Sequence, residues 1–127
     1  MSRILIADDE APMREMIAYA CKLDEHEVMQ TFDTPSTVSA YRSFGPDLLI
    51  LDLYMPGGGG AQVLKQVQFD TGAKLCPVIV VSGYVAEMNT ADLQTVTVFR
   101  VIEKPFSMEL LRGAIRDALN PGMGTKA

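Results

Sequence analysis

Short apolar runs alternate with amphipathic stretches along the chain. Residues 3–7, RILIA, form a continuous apolar run of the length of a buried parallel strand. In 12–23, PMREMIAYACKL, helical spacing puts Met13, Met16, Ile17, Ala20 and Cys21 on one face, and Pro12 suits a first helical turn. EVMQTF, 27–32, reads as a second strand. The stretch TPSTVSAYRSF then offers Thr34 as N-cap and Pro35 as the first helical residue, with Gly45 and Pro46 ending the helix. DLLILDL, 47–53, is the most continuously apolar strand; AQVLKQVQF, 61–69, follows as a helix, and the β-branched PVIVVS, 77–82, as a strand. A helix is expected within 85–95, bounded by QTVTVFRVIE, which favours extended structure from about Thr95. A fifth strand falls near 99–103. Ser107 then caps a last helix, SMELLRGAIRDALN, whose Leu111, Ala114, Ile115 and Ala118 share a face.

Five strands alternating with five helices predict an α/β fold, a parallel sheet covered on both faces by right-handed crossovers. The expected strand order is 2-1-3-4-5, a flavodoxin-like (βα)5 three-layer sandwich over residues 1–120, with 121–127 as a flexible tail. Functional groups in such sheets collect outside the carboxyl ends of the strands. Here those ends carry Asp8 and Asp9, Asp52, Ser82 and Lys104, five polar side chains directed to one crevice.

Composition narrows the function. At 127 residues and 48% hydrophobic, the chain can bury the core of one domain. Its net charge of −5 argues against general nucleic-acid binding, which needs cationic side chains against phosphates. No apolar run reaches transmembrane length and the start does not read as a signal peptide, so a cytoplasmic protein without membrane contact is expected. Cys21 and Cys76 lack metal-ligand or CxxC spacing and read as reduced core thiols; His26, in DEHEV, reads as a loop residue.

The run Asp8, Asp9, Glu10 closes an apolar strand with adjacent negative charges, which repel unless a cation joins them. Taken alone, such a run also suits the N-terminal dipole of a helix, and that is the reading for Glu10. With ILIADDE, LLILDLYMPGGGG, VIVVSG and EKPF in this order and spacing, the chain resembles the receiver domains of two-component response regulators, in particular the stand-alone, chemotaxis-regulator-like ones. The resemblance implies that Asp52 accepts a phosphoryl group, that Asp8 and Asp9 form an acidic pocket, that Ser82 is the switch hydroxyl and that Lys104 contacts the phosphoryl group. It implies a sensor histidine kinase or a histidine phosphotransfer protein as donor and an unidentified downstream protein as target. It suggests a cis peptide before Pro105. The chemistry agrees: an aspartyl acyl phosphate needs charge stabilisation. Mg2+ (or Mn2+) would supply it, held by Asp9, Asp52 and the backbone carbonyl of Tyr54, with Asp8 acting through water. No enzymatic activity is expected beyond assistance to the protein's own phosphorylation and dephosphorylation.

Several residues depart from the family pattern. Four glycines, 57–60, lack the Lys and Ser or Thr of a phosphate-binding loop and read as a flexible turn. Val101 stands where the family commonly carries an aromatic ring, so a ring rotation cannot occur there. The expected route of response is instead the segment from Gly83 into the 85–95 helix. A constitutive interaction module that kept the fold is the alternative reading. A hydrolase with an aspartate nucleophile is disfavoured, because Tyr54, two residues after Asp52, is not an acid. The chain ends one helix after Lys104, with no output domain visible in the sequence.

Overall fold

A computed structural model describes residues 1–71, 75–83 and 98–120. The helix expected within 85–95 and the tail at 121–127 lie outside the described residues. Strands β1 (Arg3–Ala7), β2 (Glu27–Thr31), β3 (Leu48–Asp52), β4 (Val78–Ser82) and β5 (Val98–Glu103) form one parallel sheet in the order β2-β1-β3-β4-β5, as the sequence predicts. The described helices are α1 (Ala11–Leu23), α2 (Thr34–Phe44), α3 (Gly59–Thr71) and α4 (Met108–Leu119).

The pleat explains why the central strands read as unbroken apolar runs. Ile4, Ile6, Leu48, Ile50, Ile79 and Val81 face one layer, where they meet Ile17 and Cys21 of α1 and Leu111 and Ile115 of α4. Their neighbours Leu5, Ala7, Leu49, Leu51, Val78 and Val80 face the other, against Val38, Tyr41 and Phe44 of α2 and Val63, Leu64 and Val67 of α3. Each fully buried Leu or Ile stabilises the sandwich by about 1.5–3 kcal/mol relative to exposure. The predicted α4 face is the buried one: Leu111, Ala114, Ile115 and Ala118. On α1, Met13 and Met16 pack half-buried at the margin of the same core.

Two helix ends fit the sequence and one corrects it. Ser107 caps α4, its hydroxyl accepting the Leu110 N–H at 3.0 Å. Gly45 ends α2 in the left-handed region, at φ +63, where a missing Cβ removes the steric penalty. The cap of α2, however, is Asp33 rather than Thr34: Asp33 Oδ1 accepts the Ser36 N–H at 2.9 Å, and Thr34 and Pro35 both lie inside the first turn. The reason is that the Thr34 hydroxyl is used elsewhere, donating to the Gly59 carbonyl at 3.0 Å. Both cysteines are free thiols, and burial pushes the Cys21 thiol up to about 12. His26 lies between α1 and β2, its Nδ1 accepting the Ser2 N–H at 3.2 Å.

The register settles where the polar residues gather. Ala7 pairs with Leu51, Asp52 with Val81 and Ser82 with Glu103, so Asp8, Asp52, Ser82 and Lys104 emerge at the same edge of the sheet.

Candidate functional site

At that edge a cleft of about 630 Å3 is lined by Asp9, Glu10, Met13, Asp52, Tyr54, Gly83, Lys104 and Pro105. Asp8 lies beneath it, fully buried; Asp52 is 4% exposed and Ser82 is fully buried. Chain direction accounts for each position: a strand carries its last residue out of the apolar layer, and the short turn after it returns over the sheet. The Lys104 ammonium is the hub. Its Nζ lies 2.8 Å from Asp8 Oδ2, 2.9 Å from Glu10 Oε1 and 3.2 Å from Asp52 Oδ2. Its backbone N–H donates to the Ser82 carbonyl at 2.8 Å, which ties the turn after β5 to the end of β4. The Lys104–Pro105 peptide is cis.

Electrostatics at this point are strained toward a cation. Burial pushes the Asp52 carboxyl up to about 6, and the nearby Asp8 charge adds to the rise; the Tyr54 N–H, donating to Asp52 Oδ1 at 3.1 Å, and Lys104 oppose it. Burial alone would lower the Lys104 ammonium, but its contacts with Asp8 and Glu10 and the charge of Asp52 outweigh burial and hold it above the usual lysine range. Three carboxylates therefore share one ammonium. Carboxylate oxygens of Asp8, Glu10 and Asp52 all lie within 4.8 Å of one another. Asp8 Oδ1 accepts the Glu10 N–H at 2.9 Å, whereas Asp8 Oδ2 is buried with no hydrogen-bond partner among the described residues. That oxygen lies 2.8 Å from the Lys104 ammonium, an ion pair. An all-oxygen group of converging carboxylates is the kind of donor set a hard divalent cation requires. The residues present fit a hard divalent cation.

The turn between β3 and α3 is more exactingly shaped than a flexible run of glycines. Gly60 N–H donates to the Leu53 carbonyl at 2.8 Å and closes the turn. A Cβ on Gly60 would stand 2.6 Å from the Asp52 carbonyl oxygen, and one on Gly59, at φ +83, would stand 2.9 Å from the Leu53 carbonyl oxygen. Glycine is demanded here by close approach and by backbone sign.

Of the residues singled out in the sequence, Asp8, Asp52 and Lys104 are in mutual contact, and Ser82 is joined to them through its carbonyl. Asp9 is exposed at the mouth of the cleft and stands outside the three-carboxylate group. Tyr54, 45% exposed, forms part of the wall. Two participants are not among the predicted site residues: Glu10, read from the sequence as a helix-dipole charge, and Arg14. Glu10 reaches Lys104 rather than capping α1, for which its side chain accepts no hydrogen bond. Arg14 donates from Nη1 to the Asp8 carbonyl at 2.8 Å, with its guanidinium 5.7 Å above the Phe32 ring, so it fixes the end of β1. Neither contact has a sequence signal, because each depends on side-chain direction across elements.

Comparison with known proteins agrees with this geometry. The family model of the response regulator receiver domain matches residues 4–116. The phosphate regulon transcriptional regulatory protein PhoB of Escherichia coli K12 is 30% identical over 114 residues, 90% of this chain and 50% of that protein. PhoB of Pseudomonas aeruginosa is 32% identical over 116 residues, 91% of this chain and 51% of that protein. The chain spans about half the length of these curated relatives. Among solved structures, a CheY-like response regulator receiver domain protein from Methanospirillum hungatei JF-1 shares the fold at a TM-score of 0.86 and 20% identity, covering 95% of both chains. NtrX from Brucella abortus superimposes at a TM-score of 0.82 with 27% identity over 94% of this chain and 27% of that one.

Proposed function

The chain belongs to the family of response regulator receiver domains, and from that membership we propose that Asp52 takes a phosphoryl group from a phosphohistidine and thereby changes the protein's affinity for a downstream protein. The observation that carries the reading is the placing of a nearly buried Asp52 carboxylate 3.2 Å from the Lys104 ammonium, beside the fully buried Asp8. An Asp52 oxygen attacks phosphorus, the phosphorus–nitrogen bond of the donor breaks, and the imidazole leaves with the electron pair and is neutralised by a proton. The product is an aspartyl acyl phosphate, and later attack by water restores the carboxylate. The donor is a sensor histidine kinase or a histidine phosphotransfer protein.

Asp9, Asp52 and the Tyr54 backbone carbonyl would hold Mg2+ (or Mn2+) directly, and Asp8 through a water. Asp9 suits that task because it borders the cleft and makes no ion pair among the described residues, whereas Glu10 is engaged with Lys104. When bound, the cation neutralises charge on the carboxylates and on the phosphoryl oxygens. The protein's own part is to hold Asp52 in place through the Tyr54 N–H and to offer Lys104 to one phosphoryl oxygen. The Ser82 hydroxyl donates to another. Contacts of Lys104 and Ser82 with the phosphoryl group exist only in the phosphorylated state, so their free energy can shift a conformational equilibrium. On this reading the protein works in the cytoplasm, which its two free thiols suit, and its net charge of −5 speaks for a protein target rather than nucleic acid.

A second reading rests on Val101. It is half-buried against the core beneath α2 and α3 and carries no ring that could turn, which favours a module that binds its partner regardless of phosphorylation. Incubation with acetyl phosphate and Mg2+, followed by intact mass and partner capture from the parent organism, separates the two. The receiver reading predicts one added phosphoryl group, not formed when a chelator is present from the start, and a changed set of captured proteins. Metal-dependent phosphorylation with unchanged capture would favour the constitutive module.

A further inference from the structure

The four glycines and the start of α2 meet in a way that the phosphoacceptor reading does not use. Asp33 caps α2, and the Thr34 hydroxyl takes no part in that cap. Thr34 is 5% exposed and makes both of its polar contacts with the turn after β3: its N–H donates to the Pro56 carbonyl and its hydroxyl to the Gly59 carbonyl, each at 3.0 Å. The first N–H groups of a helix have no partner within it, and here one is satisfied by the turn itself. The Pro35 ring adds a steric wall: a Cβ on Gly57 would stand 2.8 Å from its Cδ. On its other side the turn is closed by Gly60 N–H to Leu53, and Tyr54 N–H is bound to Asp52. Tyr54 therefore sits in a segment anchored at its base by β3 and along its outer side by α2.

We propose that Thr34 is a positioning residue for the phosphoacceptor turn, its hydroxyl setting the turn in the one conformation in which the Tyr54 carbonyl is ready for Mg2+. The inference rests on the reading of Tyr54 as a metal ligand. Its physical basis is the glycine run. A chain of four glycines has an unusually wide choice of backbone states, so a turn built from them holds a ligand in place only if outside contacts select one state. Thr34 provides two such contacts, and only the hydroxyl contact can be removed by substitution while the shape is kept.

The test is a Mg2+ titration of the wild type, Thr34→Val and Thr34→Ser, read from the backbone amide shifts of Tyr54 and Gly59 rather than from phosphorylation. Loss of the hydroxyl in Thr34→Val should weaken Mg2+ binding about fivefold, the scale of one net hydrogen bond, and Thr34→Ser should stay within about twofold of the wild type. A general loss of stability would not be rescued by serine, which restores the hydroxyl and not the methyl. Coupling of this kind is reciprocal, so saturating Mg2+ should slow exchange of the Thr34 amide hydrogen in the unmutated protein, a measurement that stands even if Thr34→Val fails to fold. Equal Mg2+ affinity in all three proteins, an equal loss in Thr34→Ser and Thr34→Val, or Thr34 exchange indifferent to Mg2+ would each overturn the proposal. A wild type that binds no Mg2+ would overturn this proposal and the metal reading beneath it together, an outcome distinct from the others.

Discussion

Glu10 stands at the N-cap of α1, where an acid is usually credited to the helix dipole, yet its carboxylate is 2.9 Å from the ammonium of Lys104, 94 residues away in the chain. Nothing in the motif distinguishes it from Asp9, its exposed neighbour at the mouth of the cleft. Their functions should separate under mutation. Asp9→Ala is expected to weaken Mg2+ binding by about tenfold or more, and Glu10→Ala to leave it nearly unchanged, as read by calorimetric titration; equal losses would contradict the ligand assignment. Asp52, Ser82 and Lys104 were legible because a strand end is a position that a pattern of apolar runs can locate. The reach of Glu10 was not, since it depends on rotamers and on a turn contributed by a distant strand. Gly60 makes a second residue-level case. Its Cβ would stand 2.6 Å from the Asp52 carbonyl oxygen and 2.8 Å from Leu53 Cα, both backbone atoms that cannot turn aside. Gly60→Ala should therefore cost about 1–3 kcal/mol in urea unfolding, an overpacking penalty.

At the level of elements, strands and helices were legible wherever two periods alternate without ambiguity, as in β3 and α4, where the expected buried faces are the observed ones. The start of α2 was not, because Asp33 and Thr34 are both favoured caps and only the tertiary contact of Thr34 with Gly59 decides between them. The shape of the glycine turn was hidden for a related reason: composition shows that glycine permits many conformations, while the atoms that exclude all but one come from β3 and α2. One contact between elements offers a pH test. Arg112 of α4 holds Asp24, at the end of α1, through two hydrogen bonds of 3.1 and 2.6 Å. The hydrogen bond to Arg112 keeps the Asp24 carboxyl below its ordinary value of 3.8. A carboxyl lowered on folding stabilises the fold at pH above its unfolded value, and that contribution fades as pH falls through the lower folded value. Both groups are solvent-exposed, so the effect is small. Arg112→Ala should lower the melting temperature slightly at pH 7 and show a shallower decline than wild type below about pH 4; parallel curves would deny the pair any role. At the start of α4, Ser107→Ala should cost about 1 kcal/mol by removing the cap, measured by denaturant unfolding.

Among the described residues, Asp8, Asp52 and Ser82 are buried together at one edge of the sheet, while the packing on both faces is mostly apolar. On the proposed function, an event at Asp52 would reach the rest of the domain through this edge, which joins β1, β3, β4 and the turn after β5. The topology was legible as a whole, since short parallel strands in an alternating order admit few right-handed arrangements. The route of any response was less so. With no ring at Val101, the amides from Gly83 toward residue 95 are expected to shift on addition of beryllofluoride, a mimic of the phosphoryl group, while the Val101 methyl groups stay in place by NMR. A Ser82→Ala variant should diminish that shift; an undiminished response would exclude the hydroxyl from the route. All of this depends on Asp52 as the acceptor, and one measurement addresses it most directly. Wild type and Asp52→Asn, both shown to be folded by circular dichroism, are incubated with acetyl phosphate and Mg2+ and compared by intact mass. The wild type should gain a single phosphoryl group and Asp52→Asn none. An equal gain in both proteins, or none in the wild type, would contradict the account.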